Sequence, residues 1–108
     1  MKVLLDVGIS PRLRLSLQEH LGDATVETAV YRQWRALRDD ELIAEATQAG
    51  FTTLVTTDKR MASEQLQSSI AIIAVDDNRL HRLRRAVPAI AEAIRGTGVG
   101  EHRIIAVV

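Results

Sequence analysis

The sequence predicts an α/β fold, a three-layer α/β/α sandwich with a mainly parallel five-stranded sheet, and three observations carry that expectation. Apolar runs of strand length alternate along the chain with segments of helical periodicity. The first run, "KVLLD", lacks the apolar–polar alternation of a strand with one wet face, as expected where helices cover both sides. Strands alternating with helices imply right-handed crossovers and a mainly parallel sheet covered on both faces. At 108 residues, with no linker, repeat or low-complexity stretch, the chain reads as a single domain spanning 1–108.

Each element has its own signal. "KVLLD" opens the chain as a buried strand. "SPRLRLSLQEHLGD" follows with Ser10 placed to cap a helix, Pro11 suited to its first position, and Leu13, Leu17 and Leu21 on one face; Gly22 stops it. "ATVETAV" reads as the second strand. "RDDELIAEATQAG" reads as a helix with acids in its first turn and Gly50 at its end. "TTLVTTD" is the third strand, "KRMASEQLQ" a short helix and "SIAIIAVDD" the most apolar strand. "RLHRLRRAVPAIAEAIRG" is amphipathic throughout, but Pro88 requires a kink or break near Val87. "HRIIAVV" is the fifth strand.

Composition narrows the chemistry. There are no cysteines, which excludes disulfide scaffolds, thiol nucleophiles and cysteine-held zinc. No run approaches the roughly 18 apolar residues of a membrane span, and the apolar start is too short for a signal peptide, so a soluble, cytoplasmic protein is expected. Lys plus Arg and Asp plus Glu both number 14, giving no net charge and no strongly basic nucleic-acid footprint. Two arginine groups, 32/35/38 and 79/82/84/85, read first as solvated faces. His20, His81 and His102 have no ligand spacing, and Ser63, Ser68 and Ser69 have no partnering base. "GTGVG" follows a helix and reads as a connector, and Trp34 as a packing anchor.

The acids are placed more tellingly. In an open parallel sheet, ligands bind beyond the carboxyl ends of the strands, where strand order reverses. Asp6 ends the first strand, Asp58 the third, and Asp76 with Asp77 the fourth; Asp39, Asp40 and Glu41 open a helix on the same side. Carboxylates gathered at one edge repel unless a cation compensates. Hard cations such as Mg²⁺ take oxygen ligands, one or two of them carboxylates. Each acid also has a plainer reading. Asp58 suits an N-cap, Asp39 and Asp40 suit capping and dipole compensation, and Asp76–Asp77 before "NR" suits a turn. Asp6 is hardest to read as a cap, because Ser10 and Pro11 already start the next helix.

In order and spacing, "KVLLDVG" with "SPRLRLSL", "QWRALRDDELIAEA" and "TLVTTDKRM" resemble the small PIN-like proteins related to PIN-domain ribonucleases and VapC-type toxins. The similarity runs over nearly the whole chain. It implies an endoribonuclease dependent on Mg²⁺ or Mn²⁺, with Asp6, Asp40 and Asp58 as metal ligands and catalytic acids. Lys59 and Arg60 would approach the RNA phosphate. It further implies the toxin-like half of a toxin–antitoxin pair, a small antitoxin-like protein as partner, and a homodimer. The chain departs from the pattern at Val7 and Gly8, where the family often has Glu and Asn, and at Arg60, where many members carry a further acid. Asp39, Glu41 or Asp76 are the acids available to compensate. The alternative is a catalytically weakened or inactive binding module on the same fold, acting through a protein partner. A phospho-acceptor receiver, suggested by Asp58 after a third strand, is disfavoured because Asp6 stands without a second acid beside it.

Overall fold

The structure, a computed structural model, describes residues 1–64 and 69–107. Its elements run β1 (Lys2–Leu5), α1 (Leu13–Leu21), β2 (Thr25–Thr28), α2 (Asp39–Gln48), β3 (Thr53–Thr56), α3 (Lys59–Glu64), β4 (Ala71–Val75), α4 (Leu80–Arg85), α5 (Val87–Gly96) and β5 (His102–Ile105). The five strands form one sheet in the order β2-β1-β3-β4-β5, and every neighbouring pair is parallel. The expected α/β architecture is present, with all strands parallel. The last residues expected in the short helix, Gln65 to Gln67, lie outside the described residues, as do Ser68 and Val108.

The layers follow from side-chain alternation along the strands. Val3, Leu5, Val26, Val55, Ile73 and Val75 point to one face, where Leu13, Leu17 and Leu21 of α1, Leu83 of α4 and Ile90 and Ile94 of α5 cover them. Leu4, Leu54, Ile72 and Ala74 point to the other, under Leu42, Ile43 and Ala46 of α2 and Met61 and Ala62 of α3. Every residue of β3 and β4 is buried, which is why those strands read as unbroken apolar runs. Trp34 and Phe51 meet edge to face, ring centroids 6.2 Å apart, anchoring the long β2–α2 connection to the second face.

Local details correct some expected boundaries. Ser10 and Pro11 form a turn ahead of α1 rather than its first residues: the Leu13 amide donates to the Ser10 carbonyl, and the Arg12 amide to the Ser10 hydroxyl at 3.3 Å. Gly22 ends that helix with φ 73°, a conformation natural to glycine. In α2 the Glu41 carboxylate reaches back to the Arg38 amide at 3.0 Å, half of a capping box. Pro88 does break its helix: α4 stops at Arg85, and Pro88 sits in the first turn of α5, where its missing N–H costs nothing. Arg32 is no solvated charge. It pairs with Glu27 at 2.8 Å and lies 5.0 Å from the centroids of both Trp34 and Phe51. Among the described residues no helix is long and apolar enough to cross a membrane.

Candidate functional site

The chain leaves β1 for one side of the sheet, to β2, and then returns across β1 to build β3, β4 and β5 on the other. Strand order therefore reverses between β1 and β3, and the crevice beyond their carboxyl ends is where such a sheet offers a ligand site. Asp6 and Asp58 flank this point.

One buried threonine joins them. The Thr56 hydroxyl, on a residue with no exposed surface, donates to Asp6 Oδ2 at 2.7 Å and accepts the Asp58 amide at 3.0 Å. The Val7 amide donates to Asp6 Oδ1 at 2.8 Å, so the carboxylate is held at both oxygens while remaining half-exposed. Asp58 caps α3: its Oδ1 accepts the Arg60 amide at 2.9 Å and the Met61 amide at 3.2 Å. The cap that its position suggested is real. Both bonds fall on one oxygen, leaving Oδ2 clear of hydrogen bonds to described residues.

The other acids stand apart from this link. Asp40 lies exposed on the first turn of α2, 3.8 Å from the Arg38 guanidinium, and no hydrogen bond joins it to Asp6 or Asp58. Glu41 is committed to Arg38, by backbone and side chain. Asp76 Oδ1 accepts the Val107 amide at 2.7 Å and ties the end of β5 to the end of β4. Asp77 fulfils the expected turn. Its carboxylate accepts the Arg79 amide at 2.8 Å, takes the Arg79 guanidinium on both oxygens, and meets Arg82 at 3.2 Å. Those hydrogen bonds, Arg79's foremost, hold its pKa down to about 2.

A shallow cleft of about 510 Å³ opens between segments 57–60 and 76–79, at the tips of β3 and β4. Lys59, Arg60 and Arg79 line it together with Asp58 and Asp77, which gives it mixed charge. On its β1 side, Gly8 is fixed by contact: a Cβ there would stand 2.5 Å from the Thr57 hydroxyl. The hydroxyl thus occupies the space that any side chain at position 8 would need.

The ion that the sequence suggests finds a partial fit. Among the described residues no three His, Asp or Glu side chains are grouped so as to hold a metal. A preassembled three-carboxylate centre is therefore not what this arrangement fits. Mg²⁺ can also be held more sparsely, by one or two carboxylates with water and phosphate completing the shell, and Asp6 and the open oxygen of Asp58 are the acid groups at the β1/β3 crevice for that mode. Asp6 keeps spare acceptor capacity too, since an ionised carboxylate offers about four lone-pair sites. Thr56 and Thr57 escaped the sequence reading. Their signal is the pair of threonines directly before Asp58, at the end of an otherwise aliphatic strand. Compared with protein-family models, curated proteins and solved structures, the chain matches none.

Proposed function

We propose that the chain is a PIN-like hydrolase of RNA phosphodiester bonds that works with Mg²⁺ or Mn²⁺ at the β1/β3 crevice, as the toxin-like member of a toxin–antitoxin pair. The supporting observation is the buried Thr56 hydroxyl, which couples the Asp6 carboxylate to the Asp58 backbone where strand order reverses. A buried hydroxyl serves no apolar core; here it fixes an acid at a sheet tip. Asp6 and Asp58 would hold the ion, with Asp40 the further acid that substrate binding recruits. A bound divalent cation supplies Lewis-acid polarisation of a phosphate oxygen and a water of lowered pKa. This chain's own groups do the positioning. Thr56 and the Val7 amide fix Asp6, the α3 amides fix Asp58, and Lys59 and Arg60 line the adjoining cleft at the β3 and β4 tips with Asp58.

The test is cleavage of a mixed RNA substrate with Mn²⁺, alongside a Mn²⁺ titration followed by thermal unfolding. Asp58→Asn keeps the one oxygen that caps α3, Asp6→Asn keeps one of the two acceptors in use, and both remove charge. Each is expected to lower cleavage by at least about a hundredfold and to abolish the stabilisation that metal confers on the wild type. Asp40→Asn is expected to lower cleavage while leaving the metal-induced stabilisation of the free protein in place. Cleavage unchanged in both Asp6→Asn and Asp58→Asn would refute the site.

A second reading, a non-catalytic binding module on this fold, is favoured by one observation: the structure places Asp40 with Arg38 and gives it no link to the other two acids. It predicts no cleavage and no stabilisation by Mn²⁺ at all.

A further inference from the structure

The two edges of the sheet are finished differently. At β2, the edge facing away from β1 is closed by α1: the Gln18 side chain accepts the Val26 amide at 3.0 Å, and the Arg14 guanidinium reaches the Val26 carbonyl at 3.4 Å. Unpaired strand edges invite other strands, and covering them is a standard defence. At β5 no described residue supplies such a cover. The Glu101 and Ile105 carbonyls accept amides from β4's side, so the alternating residues His102, Ile104 and Ala106 turn their N–H and C=O groups outward. Among the described residues nothing pairs with those groups. Ile104, 49% exposed, projects at the middle of this open edge.

We propose that β5 is a self-association edge, onto which a second copy of the chain adds its own β5 antiparallel, across a two-fold axis at Ile104. This rests on the edge alone and not on the nuclease reading. The pairing follows from parity. A two-fold at Ile104 sets the two Ile104 residues opposite each other as a hydrogen-bonded pair and His102 opposite Ala106 of the other copy. All three residues have outward backbone groups, so the edge satisfies itself. The exposed isoleucines then meet across the axis on one face of the sheet, and cross-strand apolar pairs of this kind stabilise strand pairing. On the opposite face a groove of about 410 Å³ runs between α5 and β5, with Glu92 on one wall and Arg103 on the other. Neither has an ion-pair partner among the described residues, so the groove carries the two charges that a two-fold needs to pair across itself. A partner of one charge alone would leave one of them unmatched; a second copy matches both.

Sedimentation equilibrium of the wild type over micromolar to millimolar concentration is expected to show a monomer–dimer equilibrium. Ile104→Lys puts a charge at the axis, and Ile104→Pro deletes an outward N–H that the fold does not use. Each is expected to raise the dissociation constant more than about tenfold while thermal unfolding stays cooperative. Glu92→Arg and Arg103→Glu are each expected to weaken the dimer, and the double exchange to restore it. Amide exchange supplies a readout that does not depend on any variant folding: His102, Ile104 and Ala106 should slow as protein concentration rises, while Val26 should not. A wild type that remains monomeric throughout, or a dimer untouched in folded Ile104→Lys and Ile104→Pro, overturns the proposal. RNA cleavage by a wild-type monomer would leave the nuclease reading standing and this one fallen.

Discussion

Thr56→Val puts the link between β1 and β3 to the test. Valine matches threonine in shape but carries no hydroxyl, so the change removes two hydrogen bonds without opening a cavity. The bond to the Asp6 carboxylate is charge-assisted, a class that contributes about 1.5–3 kcal/mol; the bond from the Asp58 amide is ordinary, about 0.5–1.5 kcal/mol. Asp6 is half-exposed, so water recovers part of its loss, while Thr56 itself is fully buried. The expected net cost is about 2–3 kcal/mol, near 10 °C in melting temperature for a domain of this size. Thr56→Ser is the control. It keeps the hydroxyl and forfeits one buried methyl group, about 1 kcal/mol. Urea unfolding of the three proteins, followed by far-ultraviolet circular dichroism, should rank them wild type, serine, valine. A valine variant as stable as the wild type, or more stable than serine, would show that the hydroxyl holds neither acid, and the case for a fixed Asp6 would go with it.

Gly8→Ala forces a Cβ to within 2.5 Å of the Thr57 hydroxyl, and should destabilise by about 1–2 kcal/mol. Gly8→Ala combined with Thr57→Ala should recover most of that loss in the same urea assay, a non-additivity expected only of residues in contact. Asp58→Ala should cost about 1 kcal/mol through loss of the α3 cap, whereas Asp58→Asn, which still accepts the Arg60 and Met61 amides, should cost a few tenths. Acid unfolding should reveal Asp77. Its pKa lies below the ordinary 3.8, at about 2, so its contribution is complete above the ordinary value and fades as pH falls from there toward 2. Asp77→Asn should flatten the pH dependence of the urea midpoint in that window and leave it unchanged near neutrality. Glu27, lowered chiefly by its hydrogen bond from Arg32, accounts for part of the slope that persists.

The fold was legible because its signals are local. The unbroken apolar runs at β3 and β4 reflect burial on both faces, and Pro88 marks a helix break that no packing repairs. The boundaries near Ser10 were not legible, since a serine before a proline suits a turn and a cap equally, and only the path of the chain onto the sheet chooses between them. The candidate site was half legible. Strand tips announce which edge the acids share, so Asp6 and Asp58 could be placed at the crevice from the order of elements alone. What a sequence does not carry is which oxygen of a carboxylate is already engaged, or that Arg38 lies beside Asp40. Thr56 was passed over for a related reason: in a β-branched run it is indistinguishable from a strand former until its neighbour across the sheet is known.

That last point bears on how acids at sheet tips should be weighed. All four at the strand tips here have structural partners. Asp6 accepts Val7 and Thr56, Asp58 caps α3, Asp76 holds Val107, and Asp77 holds Arg79. A carboxylate at such a tip is therefore explained by the backbone groups that a strand leaves behind, and its presence argues nothing further. Asp76 and Asp77 stop there, because what they hold is backbone amides and the arginines beside their own turn, with no buried side chain committed to them. Asp6 differs in what it demands of others. A valine at position 56 would pack as well in β3, and the Val7 amide would still hold Asp6. The chain instead buries a hydroxyl that accepts the Asp58 amide in its own turn and donates to a half-exposed charge on another strand, so one side chain sets the end of β3 and the orientation of that charge together. That hydroxyl-to-carboxylate link between two strands, made where strand order reverses, is what sets the crevice between β1 and β3 apart from the other strand tips.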